Sequence, residues 1–148
     1  MTIIKDVTLK RIYIGKLGYG RDLLEEITDF CVREDIRLGR IEALGAVQKA
    51  RLAYYNQESK EYQYFDLLKK MEITNMTGNV SMKDEKPMVH AHVTLADKNG
   101  DCYGGHLAAG TVIYACELII QAFEGPVFER GFDDITGLPL WDFGDNAL

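Results

Sequence analysis

Most apolar positions of the chain fall in runs of period two. Val7-Thr8-Leu9-Lys10-Arg11-Ile12-Tyr13-Ile14-Gly15 alternates in this way and predicts a first strand. One segment departs from that rhythm. Leu23, Leu24, Ile27, Phe30, Cys31 and, less regularly, Ile36 recur at helical spacing, and Asp22 stands where an N-cap belongs. Lys16-Leu17-Gly18-Tyr19-Gly20 is then the turn between strand and helix. Its glycines, with Gly15, form neither a dinucleotide fingerprint nor a P-loop, so an ordinary turn is expected there rather than a phosphate cradle. Residues 39–47 and 49–56 predict two strands or one long bent strand, with Ala43, Gly45 and Ala46 marking a bulge or a close backbone approach. Glu61 to Asp66 alternates after the turn residues Gln57 to Lys60, which predicts a hairpin, and Glu72 to Met82 is a further strand broken at Gly78. Val112 to Phe123 is the most apolar run and predicts a central strand buried on both faces. Glu117 interrupts it, and a buried carboxylate needs a partner or a metal, so Glu117 is expected either inward and functional or at an edge or interface. Val127 to Arg130 predicts a short strand between turns. Many strands and one clear helix define an α+β fold: a compact, mostly antiparallel sheet with one main helix, as a single domain over residues 1–148.

The candidate chemistry lies in one window. His90, His92 and His106 are the three histidines of the chain. His90 and His92 alternate with Val89, Ala91 and Val93, so both imidazoles leave the strand on one face. The turn cluster Asp97-Lys98-Asn99-Gly100-Asp101 follows, with Asn-Gly its strongest hairpin signal. A hairpin there returns Cys102 to His106 beside the first strand and lets three imidazoles converge. Three neutral imidazoles with a fourth position left to water make an open zinc site. Zinc is the default ion, and imidazole ligands alone do not separate it from nickel, copper or iron. The competing reading is three ordinary, half-buried, hydrogen-bonded strand histidines. Should the site be hydrolytic or a lyase, Glu42 and Glu117 are the candidate general bases. Cys102 sits near the histidines in sequence and could approach the metal, but is expected to be a small buried residue. A cupin also carries His-x-His on a strand, but Ala96 and Asp97 stand where its glutamate ligand would be sought.

Composition narrows the partners. A net charge of −6 disfavours non-specific attraction to nucleic acid or anionic membrane. From Glu124 onward there are six acids and a single base, Arg130. No apolar run is long enough to span a bilayer, and the N-terminus lacks a signal-peptide core. Cys31, Cys102 and Cys116 form no C-x-x-C pair, which fits a reducing, cytoplasmic location. The length of 148 residues supports a core without staples. The aromatic residues Tyr54, Tyr55, Tyr62, Tyr64 and Phe65, together with the run from Val112 to Phe123, leave more apolar surface than one helix covers, which is a motive for an oligomer.

An ordered set of short motifs spans nearly the whole chain: Gly39-Arg40-Ile41-Glu42, His90-Ala91-His92 with Leu95-Ala96, Asn99-Gly100, Gly104-Gly105-His106-Leu107, Gly110-Thr111-Val112, Phe128-Glu129-Arg130, and Asp134 with Thr136-Gly137-Leu138. In order and spacing they resemble the plants-and-prokaryotes-conserved (PPC) domain. The resemblance implies a compact α/β sheet fold and a homotrimer, and in single-domain prokaryotic members a bound metal, here at His90, His92 and His106. Plant members join the domain to an AT-hook, and bacterial relatives are often called predicted DNA-binding proteins for that reason. This chain has no Arg-Gly-Arg-Pro, and its Gly39-Arg40 is followed by Ile41, so direct DNA binding is not expected. The alternative function is a regulatory or DNA-associated module acting through protein contacts. The resemblance supplies no established enzymatic activity or substrate to carry over to this chain.

Overall fold

The computed structural model of the chain describes residues 2–144. Its elements are β1 (Thr8–Leu17), α1 (Leu23–Arg33), β2 (Gly39–Asn56), β3 (Glu61–Leu67), β4 (Met71–Lys83), β5 (Lys86–Ala96), β6 (Cys102–Leu107), β7 (Val112–Glu124), β8 (Glu129–Asp133) and β9 (Leu138–Asp142). The helix is capped as its sequence requires: the Asp22 side chain accepts a hydrogen bond from the Glu25 backbone N–H at 3.0 Å. Leu23, Ile27 and Cys31 form its buried stripe. Ile36 lies past the helix end and is nevertheless buried, which accounts for its irregular spacing.

All nine strands join one sheet, antiparallel throughout except for a single parallel contact between β4 and β8. β1 pairs with β7 and β7 with β2. From β2 the pairings run through β6, β5 and β4 and back to β2, so this part of the sheet closes on itself. β2 makes closure possible because it is one strand of eighteen residues, bent in its middle. Its register against β4 shifts between Ala43 and Gly45, and Gly45 has φ +146°. A Cβ at Gly45 would lie 2.1 Å from the Ala115 carbonyl oxygen, so only glycine permits β7 to approach this closely.

One face of the sheet packs on α1. Leu23, Ile27 and Cys31 share a core with Ile41, Val80, Ala91, Val93, Ile113 and Ile120. The opposite face is open in the chain. Here the structure corrects the expectation for the run from Val112 to Phe123. β7 is internal to the sheet, between β1 and β2, but its residues alternate between buried and exposed positions instead of being buried on both sides. With one helix among the described residues, one face is covered. Ile12, Ile14, Leu44 and Ile119 lie exposed on the open face, and Glu117 stands among them, paired in register with Leu44 and Lys16. Cys102 departs from expectation as well: it is exposed, at the start of β6 opposite Ala96. The short strand at the tail begins two residues later than predicted, at Glu129, and forms a hairpin with β9. No helix among the described residues is long and apolar enough to cross a membrane.

Candidate metal centre

The histidines are positioned by three adjacent strands. Val89, Ala91 and Val93 are buried, which turns His90 and His92 to the open face of β5. The Asp97–Asp101 turn is built by Asp97, whose carboxylate accepts from the backbone N–H groups of Asn99 and Asp101. It returns the chain so that His106 on β6 pairs directly with His92 and, on its other side, with Ala53 of β2. Directly paired residues share a face, so all three imidazoles meet. Ring centroids are 5.1 Å apart for His90 and His92, 4.9 Å for His90 and His106, and 5.6 Å for His92 and His106. One ring nitrogen from each lies within 4.8 Å of the others.

Three features fit this group to a divalent ion. The Nε2 atoms of His90 and His92 are 3.3 Å apart. Two nitrogens bound tetrahedrally at 2.0–2.1 Å lie about 3.3 Å apart, the edge of the coordination tetrahedron. The widest spacing in the group exceeds that edge by up to about 1.5 Å, a gap that rotation about the broad χ2 of His106 can close. The Nδ1 atom of His106 is buried with no hydrogen-bond partner. Such an orphan costs about 1–3 kcal/mol, and ligation, directly or through the ring's other nitrogen with a water on Nδ1, removes it. Burial lowers the pKa of His90 to about 4, helped by His106, Arg130 and His92. Burial also lowers that of His106, with His92 and Arg130 adding to the effect. Both rings are therefore neutral at pH 7, with lone pairs available to a metal.

The surroundings are aromatic and cationic. Tyr62 of β3 stacks at 4.8 Å on His106, and Tyr55 packs edge-on against Tyr62 at 5.0 Å. Arg130 of β8 reaches the site from the other side. It donates from Nε to Ser81 Oγ at 2.8 Å, from Nη2 to Asn79 Oδ1 at 2.8 Å and from Nη1 to the Pro139 carbonyl at 2.9 Å. Asn79 is the register partner of His90, so Arg130 and His90 hold adjacent ground.

The two carboxylates singled out from sequence sit elsewhere. Glu42 and Glu117 line a separate cavity of about 610 Å³ with Ile14, Leu44, Asn75 and Ile119. Glu42 lies in the same cross-strand row as Thr77 and His92, two strands from the latter, and pairs with Arg40 at 2.6 Å. Within one chain neither joins the histidine group. Sequence reasoning did not give Asn79, Tyr62 or Arg130 a role at the site. The signal for Arg130 was present: it is the only base in the acidic stretch from Glu124 onward.

Comparison with known proteins places the chain. The model of the Plants and Prokaryotes Conserved (PCC) domain matches residues 5–124. The structure superposes on the metal-containing protein of Archaeoglobus fulgidus with a TM-score of 0.90 and 40% identity, covering 95% of this chain and 99% of that one. A plant- and prokaryote-conserved protein of Pyrococcus horikoshii gives a TM-score of 0.90 and 33% identity, with 95% and 97% covered. In sequence the chain is 30% identical over 130 residues to the bifunctional protein GlmU of a Synechococcus strain, which covers 86% of this chain and 19% of that protein. The chain thus spans about a fifth of the length of the curated relatives it matches.

Proposed function

Because the chain belongs to the Plants and Prokaryotes Conserved domain family, we propose that it is a metal-binding member that assembles as a homotrimer, with His90, His92 and His106 holding one divalent ion, zinc by default, in an open site. The convergence of the three ring nitrogens within 4.8 Å carries this reading. The 40% identical Archaeoglobus fulgidus protein, itself metal-containing, supports it. Zinc bound by three imidazoles would supply a Lewis acid and lower the pKa of a bound water to about 7.

The chain's own residues prepare that chemistry. Burial keeps His90 and His106 neutral, so their lone pairs are free at physiological pH. Tyr62 covers one side of His106 and limits water there. Arg130 keeps a positive charge beside the site. A general base must come within hydrogen-bond reach of the water. Glu42 and Glu117 stand in their own cavity on the open face, so in this reading they serve only from a neighbouring chain of the trimer. The trimer rests on the family resemblance and on the exposed apolar face of β1, β2 and β7.

Cobalt substitution tests the site directly. Metal-free protein titrated with cobalt(II) should develop the strong visible d–d bands of a four- or five-coordinate ion and saturate at one equivalent per chain. His92→Ala should abolish the bands. Only the weak spectrum of six-coordinate, water-ligated cobalt would contradict the assignment.

A further inference from the structure

Arg130 is a half-buried cation with no counter-charge among the described residues. No carboxylate among the described residues lies within ion-pair distance of it, whereas Arg21, Arg33, Arg37, Arg40, Arg51 and Lys69 all have such partners. Burial works against its charge, and Tyr62 is the one group acting in the other direction. Its frame of Ser81, Asn79 and Pro139 is neutral and fixes the guanidinium through three N–H groups. A guanidinium has five, so two are left without an acceptor among the described residues.

Arg130 also borders open space. Arg130 and His90 line one cavity of about 410 Å³, whose remaining wall is mainly Leu140, Trp141 and Phe143. Trp141 also stacks against the guanidinium, at 5.8 Å from its ring centre. The cavity lies in the size range of small-molecule sites and combines an apolar wall with a few fixed polar groups. Its charge is unbalanced. A divalent ion on the three imidazoles would add to the charge of Arg130, and no acid among the described residues lining the cavity offsets the sum. An anion is the chemistry that fits, because the fork of a guanidinium matches a carboxylate through two parallel hydrogen bonds. Arg130 is the only cation among the described residues lining the cavity, and no helix N-terminus or glycine-rich loop lines it. That favours a singly charged carboxylate over a phosphate dianion.

We propose that the cavity between His90 and Arg130 is the seat of a small carboxylate ligand, its carboxylate on the free N–H groups of Arg130, its apolar body against Leu140 and Trp141, and its other end toward the histidines. The inference rests on the metal-centre reading for that last contact and for the ion's share of the positive charge; the charge of Arg130 itself does not depend on it. Arg130 is then a ligand-binding residue, beyond tying β8 and β9 to β4.

The full chain, ¹⁵N-labelled, is titrated with propionate, with the neutral isostere propionamide and with methylphosphonate, in metal-free and zinc-loaded forms. Propionate should saturably shift the Arg130 Nε–H and Trp141 indole N–H resonances, propionamide should not, and methylphosphonate should bind more weakly. Arg130→Gln should weaken propionate at least tenfold, and Arg130→Lys should fall between Gln and the parent. Zinc should tighten propionate binding several-fold. Equal shifts from propionate and propionamide, or unchanged affinity in Arg130→Gln, would overturn the seat, and tighter binding of methylphosphonate would overturn its carboxylate preference. Should Arg130→Gln fail to fold, the parent's propionate and propionamide titrations together with the Lys variant decide. Elemental analysis of the same samples separates the two readings. Zinc absent from the histidines, with Arg130-dependent propionate shifts intact, would defeat the metal assignment and leave the seat standing.

Discussion

His90 is held neutral by its setting, and that setting makes the metal-free protein sensitive to acid. In the unfolded chain His90 titrates near 6.5, whereas in the fold burial, followed by His106, Arg130 and His92, brings it to about 4. The folded state therefore binds fewer protons than the unfolded one between these values. Stability is fully present above pH 6.5 and is lost as pH falls through that window toward 4. His106, shifted in the same direction, adds to the loss. The melting temperature of metal-free protein should decline from pH 6.5 to 4, and His90→Gln should flatten the decline, as scanned by circular dichroism. Parallel profiles for parent and variant would show that His90 is not the group responsible. Below about 3.8, Asp97 and Asp133 contribute further loss, because hydrogen bonds from Lys69 and Thr136 respectively hold their carboxyls below the ordinary range.

The hairpin of β5 and β6 was legible because two strong local signals agree: the alternation around His90 and His92, and the turn chemistry of Asp97 to Gly100. The cap at Asp22 and the bulge at Gly45 were legible for the same reason, each being fixed by its own residues. What stayed hidden is non-local. The covering of one face only, which leaves β7 half exposed, depends on how many helices pack against the sheet, not on the composition of β7. Arg130 reaches Asn79 and Ser81 across about fifty residues of chain through the β4–β8 contact, which no periodicity encodes. The pairing of β4 with β5 offers its own test. Gly78 lies opposite Ala91, between the two histidines, and a Cβ there would sit 2.5 Å from the His90 carbonyl oxygen and 2.8 Å from the Ala91 Cβ. Gly78→Ala must push β5 away from β4. It should cost about 1–3 kcal/mol in urea unfolding and weaken metal binding at least tenfold in a chelator competition. Gly15→Ala is the matched control, since nothing lies within 4 Å of its added Cβ. Equal behaviour of the two variants would contradict the described β4–β5 packing.

On the trimer proposal, the open face finds its partner in a neighbouring chain. Ile14 is 77% and Leu44 57% exposed, in company with Ile12 and Ile119; β2 and β7 turn their other faces to the core, and β1 packs Tyr13 and Leu17 against it. A closed ring of chains buries such a surface without leaving an open end. Light scattering in dilute solution should give three times the 16.7 kDa mass of one chain, and Leu44→Asp should lower it to that of one. A parent protein at single-chain mass across concentrations would end the trimer proposal. The metal centre remains the point on which the functional account turns, and metal content decides it. Untagged protein, purified without chelators and measured by elemental analysis, should carry about one zinc per chain. The variant with His90, His92 and His106 all changed to Ala should keep its fold by circular dichroism and carry essentially none. The same metal content in both proteins would contradict the assignment.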